Sequence, residues 1–185
     1  MYKMEVNKEH KNNPIMQDTT HNGTRGRTFL YGIPFFNYGM FAQTWENPKM
    51  RNTDGNGGDN DPLDVLEIGS RTLPMGSVNP VKILGSLALI DQGEIDHKIL
   101  ALSIHDPEAD RIHSVDDLRP GLLNDIIDWL RNYKTAEGYP INHFTQGHPL
   151  PPKEAEEIII STHDQWKALR NGSIEQKAFF LGTSS

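Results

Sequence analysis

Gly57-Gly58-Asp59-Asn60-Asp61-Pro62-Leu63-Asp64-Val65-Leu66 sets three carboxylates within six residues and then enters an apolar run. Like charges at this spacing repel and raise one another's pKa unless a cation compensates. In an extended segment Asp59 and Asp61 share a face, because side chains alternate with a period of two. Pro62 fixes φ and breaks that alternation, so Asp64 is expected to swing toward the same point. Carboxylate oxygens are hard ligands that suit Mg²⁺, Mn²⁺ or Ca²⁺. An isolated Asp-x-Asp reads as a solvated turn. Three aspartates clamped between Gly-Gly and a strand, with a proline inside, favour a metal site.

A second acidic cluster, Asp91-Gln92-Gly93-Glu94-Ile95-Asp96-His97-Lys98, follows the apolar run from Val81 to Ile90. Another apolar run reaches from Lys98 to Ile104, so the acids sit on hairpin chemistry. Five aspartates at the ends of adjacent strands suffice for more than one divalent ion. Lys98 adds a cation beside them, Arg25 and Arg27 lie on a loop, and Tyr133-Lys134 ends an expected helix. Metal ions with Lys, Arg and a Tyr hydroxyl are the equipment of phosphoryl chemistry, in which positioning and charge neutralisation do most of the catalysis.

The 185 residues are expected to form one domain over 1–185. With 25 acids against 18 bases the net charge is −7, which argues against a nonspecific nucleic-acid or membrane-surface binder. There is no cysteine, so disulfides and thiolate metal sites are excluded. No run approaches the ~20 apolar residues of a membrane span. The first residues lack the apolar core of a signal peptide, and cytoplasm is the default address. Strands are expected at residues 2–6, 28–31 and 65–68 and in the two longer apolar runs. Asn12-Asn13-Pro14 reads as a turn, while 21–26 and 51–61 read as polar loops, the latter too polar to pack. Leu123, Ile126, Ile127, Leu130 and Tyr133 recur at helical spacing over 122–134. A second helix follows Pro151-Pro152 with one stripe of Ala155, Ile158, Ile159, Thr162, Trp166 and Leu169, and stops at Asn171-Gly172. Short strands followed by helices give an α+β domain, a small sheet or barrel flanked by helices.

In these residues the sequence resembles the soluble family I inorganic pyrophosphatases, in particular their eukaryotic branch. The family signature Asp-x-Asp-Pro-x-Asp-x reads here Asp59-Asn60-Asp61-Pro62-Leu63-Asp64-Val65. The resemblance continues through Asn13 to Asp18, Asn37-Tyr38-Gly39, Gln43-Thr44-Trp45-Glu46, Asp91 to Lys98, Pro120 to Leu123, Tyr133-Lys134 and Thr162 to Lys167. It implies a compact, five-stranded, OB-like barrel with flanking helices, and a homodimer. It also implies Mg²⁺-dependent hydrolysis of pyrophosphate by a water held between two ions, with Mn²⁺ as a substitute.

Carried over residue by residue, the resemblance implies that Asp59, Asp64 and Asp96 hold the tightest Mg²⁺. Asp91 and Glu5 bind further ions that arrive with substrate. Asp61 is the base or proton acceptor, and Tyr38 is a catalytic residue that grips phosphate. Lys3, Lys98, Tyr133 and Lys134 grip the two phosphate groups, together with an arginine of the 22–27 loop. Counting from Asn13 favours Arg25; an arginine at the head of the strand favours Arg27, which is narrowly preferred. The family also carries strands and an active-site glutamate upstream that have no counterpart in this sequence, so lower activity per molecule than a longer relative's is expected.

The alternatives are a noncatalytic or degenerate scaffold of the same kind, a hydrolase for other small phosphate compounds, and a calcium-binding module. The last fits poorly, because Pro62 and Leu63 fall where a calcium loop needs ligands. The eight histidines show no zinc spacing. His97 and His163 are read as structural or solvent-facing, and the Trp166 stripe as core packing.

Overall fold

The computed structural model describes residues 2–20, 23, 25–175 and 179–181. Strands β1 (Met4–Val6) and β2 (Ile15–Gln17) pair antiparallel as a two-stranded sheet. Five further strands form one mixed sheet: β3 (Asn37–Met40), β4 (Asp64–Glu67), β5 (Val81–Asp91), β6 (Glu94–Ser103) and, after helix α1 (Leu122–Asn132), β7 (His143–Phe144). Helix α2 (Pro152–Arg170) follows. The spatial order is β3-β4-β6-β5-β7, with β4 and β6 parallel and every other neighbour antiparallel. This is the α+β arrangement, with the strand count of the OB-like barrel. No β3–β7 pairing closes the ladder among the described residues.

The β5–β6 hairpin is the spine. Gln92 and Gly93 both take positive φ at its tip, the backbone that a two-residue hairpin turn requires. Leu84, Leu87, Leu89, Leu100 and Leu102 of the hairpin build the main core with Leu66. Helix α1 covers them with Ile126, Trp129 and Leu130, the face set by its helical spacing. The Trp129 ring is packed by Phe29, Phe36 and Tyr133 at centroid distances of 5.6, 5.2 and 5.0 Å. The α2 stripe does pack: Ala155 joins Leu63 and Ile99, while Leu169 meets the fully buried Trp45.

Three local expectations change. Thr28 makes a single bridge to Tyr2, and 29–31 are not a strand. Phe29 turns inward onto Trp129 while Leu30 and Tyr31 are exposed, so the segment buries one ring without a ladder. The first strand shrinks to Met4–Val6, and its partner Ile15–Gln17 was too short to show a period. The 21–26 loop is partly outside the described residues. The end of the 51–61 loop is not a solvated loop. Gly58 is buried, donates to the Asn47 carbonyl at 3.3 Å and bridges to Ile95. Asn60 N donates to Glu46 O at 3.0 Å and Glu46 N to Asp61 O at 2.9 Å. Backbone bonding, not apolar burial, docks this segment, which is why its composition hid the packing.

A Cβ on Gly58 would lie 2.5 Å from the backbone carbon of Glu46, so glycine is required for the docking. Gly58→Ala is expected to lower unfolding free energy by about 1–3 kcal/mol in urea denaturation. Gly147→Ala, at a position with nothing within 4 Å of the added carbon, is expected to leave the midpoint unchanged.

Candidate active site

Three backbone features gather the acids. The parallel β4–β6 register places Asp64 opposite Lys98. The β5–β6 hairpin sets Asp91 opposite Glu94, and Asp96 opposite Leu89. The 46–47 and 58–61 segments, bonded as described, lay Asp59 against Glu46. Trp45 Nε1–H donates to Asn60 Oδ1 at 2.9 Å and fixes this turn from below. Asn60 has φ +68°, a left-handed conformation that Asn tolerates better than most residues. Asp61 N in turn donates to Asp59 Oδ1 at 2.9 Å.

That turn gives the two carboxylates of Asp-x-Asp different partners within one cleft. Asp59 points among buried acids. One carboxylate oxygen from each of Glu46, Asp59 and Asp96 lies within 4.8 Å of the others. Glu46 Oε2 and Asp96 Oδ1 are buried with no partner among the described residues. Burial pushes Asp59 well above the usual carboxylate range, and the charges of Asp96, Glu46, Asp61 and Asp64 push it further. Burial and Asp96 do the same to Glu46. Mutually repelling hard oxygens with unfilled lone pairs are the donor set of a divalent metal site. Asp61 instead meets Lys8, whose Nζ lies 2.8 Å from Oδ1 and donates to Asn60 O at 3.0 Å.

Asp64, Asp91, Glu5, Asp18 and Glu137 each have a cation. Lys98, 1% exposed, donates to Asp64 and lies 2.6 Å from Asp96 Oδ2. Burial works against its charge, but Asp64 and Asp96 outweigh burial and hold its pKa well above the ordinary value. The Tyr38 hydroxyl donates to the same Asp64 oxygen, and burial followed by the Asp64 charge keeps the phenol protonated. Lys134 pairs with Asp91, which the Tyr133 hydroxyl also approaches at 3.5 Å. Lys3 sits 2.7 Å from Glu5. Arg27 donates to Asp18 at 2.7 Å and to Glu137 at 2.9 Å. Of these groups all but Glu137 line one cleft of about 270 Å³, smaller than the ~300–1,000 Å³ pockets of drug-sized ligands. Among the described residues, eight acidic and five basic side chains line it, so a further supply of positive charge suits it.

The cleft brings together Lys3, Glu5, Arg27, Tyr38, Asp59, Asp61, Asp64, Asp91, Asp96, Lys98, Tyr133 and Lys134. Arg25 is exposed and is not among its lining residues. Tyr133 has two roles at once, stacked on Trp129 and facing Asp91. The sequence names Glu46 and Asp18 only as parts of matching blocks, and Lys8 and Glu137 not at all. Glu46 lies 13 residues before Asp59 with no spacing that pairs them. Lys8 and Asp18 sit in polar stretches where charges are ordinarily solvated.

A family model described as inorganic pyrophosphatase matches residues 1–167. The chain belongs to the inorganic pyrophosphatase family. Curated pyrophosphatase relatives include the mouse protein "Inorganic pyrophosphatase 2, mitochondrial", 43% identical over 174 residues that cover 90% of this chain and 53% of that one. The human inorganic pyrophosphatase is 42% identical over 174 residues, 90% of this chain and 60% of its own. The chain thus spans between half and two thirds of these relatives. Among solved structures, type I inorganic pyrophosphatase from Toxoplasma gondii superposes with a TM-score of 0.85 at 39% identity, over 91% of this chain and 75% of that one. The enzyme from Trypanosoma brucei brucei gives 0.88 at 34%, over 93% and 51%.

Within this pyrophosphatase fold Lys98 neutralises buried acids that no other side chain reaches so closely. Lys98→Met is expected to cost about 3–5 kcal/mol in urea denaturation with EDTA present, because it strands Asp64 and Asp96. A loss below about 1 kcal/mol would show that solvent, rather than Lys98, carries that charge.

Proposed function

We propose that this chain hydrolyses inorganic pyrophosphate to two phosphates. The observation that supports this most is the pairing inside one small cleft. Lysines suited to phosphate sit on carboxylates suited to metal, each holding the other until ligands arrive. Asp59, Asp64 and Asp96, with Glu46 beside them, would hold divalent ions, and Asp91 and Glu5 would hold others; Mg²⁺ is the first candidate and Mn²⁺ a substitute. When bound, such ions supply charge neutralisation for the diphosphate and acidify water near neutral pH.

The side chains then divide the work. Lys98, Lys134 and Lys3 exchange a carboxylate for a phosphate oxygen, and Arg27 offers a planar guanidinium already aligned by Asp18 and Glu137. Lys8, freed from Asp61, is placed to join them. Asp61 accepts the proton of the attacking water as the new P–O bond forms and the anhydride P–O bond breaks. The departing phosphate takes up a proton in turn. The Tyr38 hydroxyl, held protonated, orients groups around Asp64 and donates to an oxygen of substrate. On the family resemblance the same reading takes the enzyme as a cytoplasmic homodimer, although the mouse relative is named mitochondrial. Among the described residues no helix is long and apolar enough to cross a membrane.

Phosphate release from pyrophosphate with Mg²⁺ is the test. Turnover is expected with Mg²⁺ and inhibition by added Ca²⁺, whose longer, looser coordination suits the site less. Asp61→Asn is expected to lower kcat by about 10²–10⁴-fold with the fold retained. Lys8→Ala and Arg27→Ala are expected to raise KM, and Arg25→Ala to leave it near wild type. Saturable Ca²⁺ binding without phosphate release would instead make this a calcium module.

A further inference from the structure

Glu46 is 3% exposed, and a single residue controls one of its two oxygens. His97 meets Oε1 twice: its backbone N–H donates at 3.1 Å, and imidazole Nδ1 lies 2.7 Å away, a second donor in the Nδ1–H tautomer. The other oxygen, Oε2, is buried with no partner among the described residues, as is Asp96 Oδ1. Two donors on one oxygen prevent the carboxylate from turning and leave Oε2 as the free ligand atom. One Glu46 oxygen lies within 4.8 Å of an oxygen from each of Asp59 and Asp96. A carboxylate whose orientation is set by an outer hydrogen bond is the usual support of a metal ligand.

We propose that His97 is a positioning residue for a divalent-cation site made by Glu46, Asp59 and Asp96, fixing Glu46 Oε1 so that Oε2 faces the ion. This rests on the reading above that the cleft binds metal. His97 directly follows Asp96 on β6, and successive strand residues point to opposite faces. The backbone between them therefore couples both ligands: Asp96 reaches the cleft while His97 reaches round to the far side of Glu46. Because the acceptor is a carboxylate, the proton lies on Nδ1, and the neutral ring is the Nδ1–H tautomer.

Mn²⁺ titration followed by electron paramagnetic resonance tests this without any turnover. Wild type is expected to bind Mn²⁺. His97→Leu, which keeps bulk and loses the imidazole donor, is expected to bind about 10–100-fold more weakly. His97→Asn, whose side-chain N–H takes the place of Nδ1–H, is expected to stay within about threefold of wild type. Equal affinity in His97→Leu, or equal loss in both variants, overturns the proposal. Absence of Mn²⁺ binding by wild type overturns the metal reading beneath it as well. Where His97→Leu does not fold, ¹⁵N-histidine NMR of the wild-type chain at pH 8 decides. An Nδ1–H tautomer whose signal moves as Mg²⁺ is added supports the role; an Nε2–H tautomer, or a signal indifferent to Mg²⁺, contradicts it.

Discussion

A buried ammonium holds this site together. Lys98 lies between Asp64 and Asp96, with the Tyr38 hydroxyl 3.0 Å from Nζ and the Tyr38 ring beneath it at 5.4 Å from the centroid. An unpaired charge in such a place would be too costly to keep, and so would two unpaired carboxylates. Each makes the others tolerable. The fold supplies this pairing by register: with β4 and β6 parallel and Asp64 opposite Lys98, the two cannot avoid each other.

The same logic repeats around the cleft with other partners. Lys134 neutralises Asp91, Lys8 neutralises Asp61, and Lys3 neutralises Glu5. Glu46, Asp59 and Asp96 are different. Their carboxylates converge with two oxygens left over, Glu46 Oε2 and Asp96 Oδ1, although Lys98 holds the other oxygen of Asp96. On the proposed reading this contrast separates two jobs. Asp91 and Glu5 wait for ions that come with substrate, whereas the converging acids, with Asp64, bind an ion first. Burying opposite charges in small units lets one cleft hold many ionised groups without collapsing or flooding.

Much of this was legible in the chain. Asp59, Asp61, Asp64, Asp91 and Asp96 stood out because acids packed so closely need a reason, and the β5–β6 hairpin showed in its apolar runs and in Asp91-Gln92-Gly93-Glu94. Helices α1 and α2 followed from their apolar stripes. What escaped depends on backbone contacts that leave no periodic trace. Residues 58–61 dock through hydrogen bonds to 46–47, so Glu46 reaches Asp59 from a distance no motif measures. Asp59 and Asp61 take different partners on either side of the left-handed turn at Asn60. Strands β2 and β7, of three and two residues, are too short to carry a pattern. His97 was read as structural because a lone histidine gives no spacing; its hydrogen bonds to Glu46 exist only in three dimensions.

A crystal structure of the chain with Mg²⁺ and the nonhydrolysable imidodiphosphate would examine the exchange of partners directly. The account predicts Lys98 and Lys134 Nζ within hydrogen-bond distance of phosphate oxygens, with Asp64, Asp91 and Asp96 turned to metal. Finding both lysines still bound to their carboxylates, with the diphosphate seated elsewhere, would contradict it.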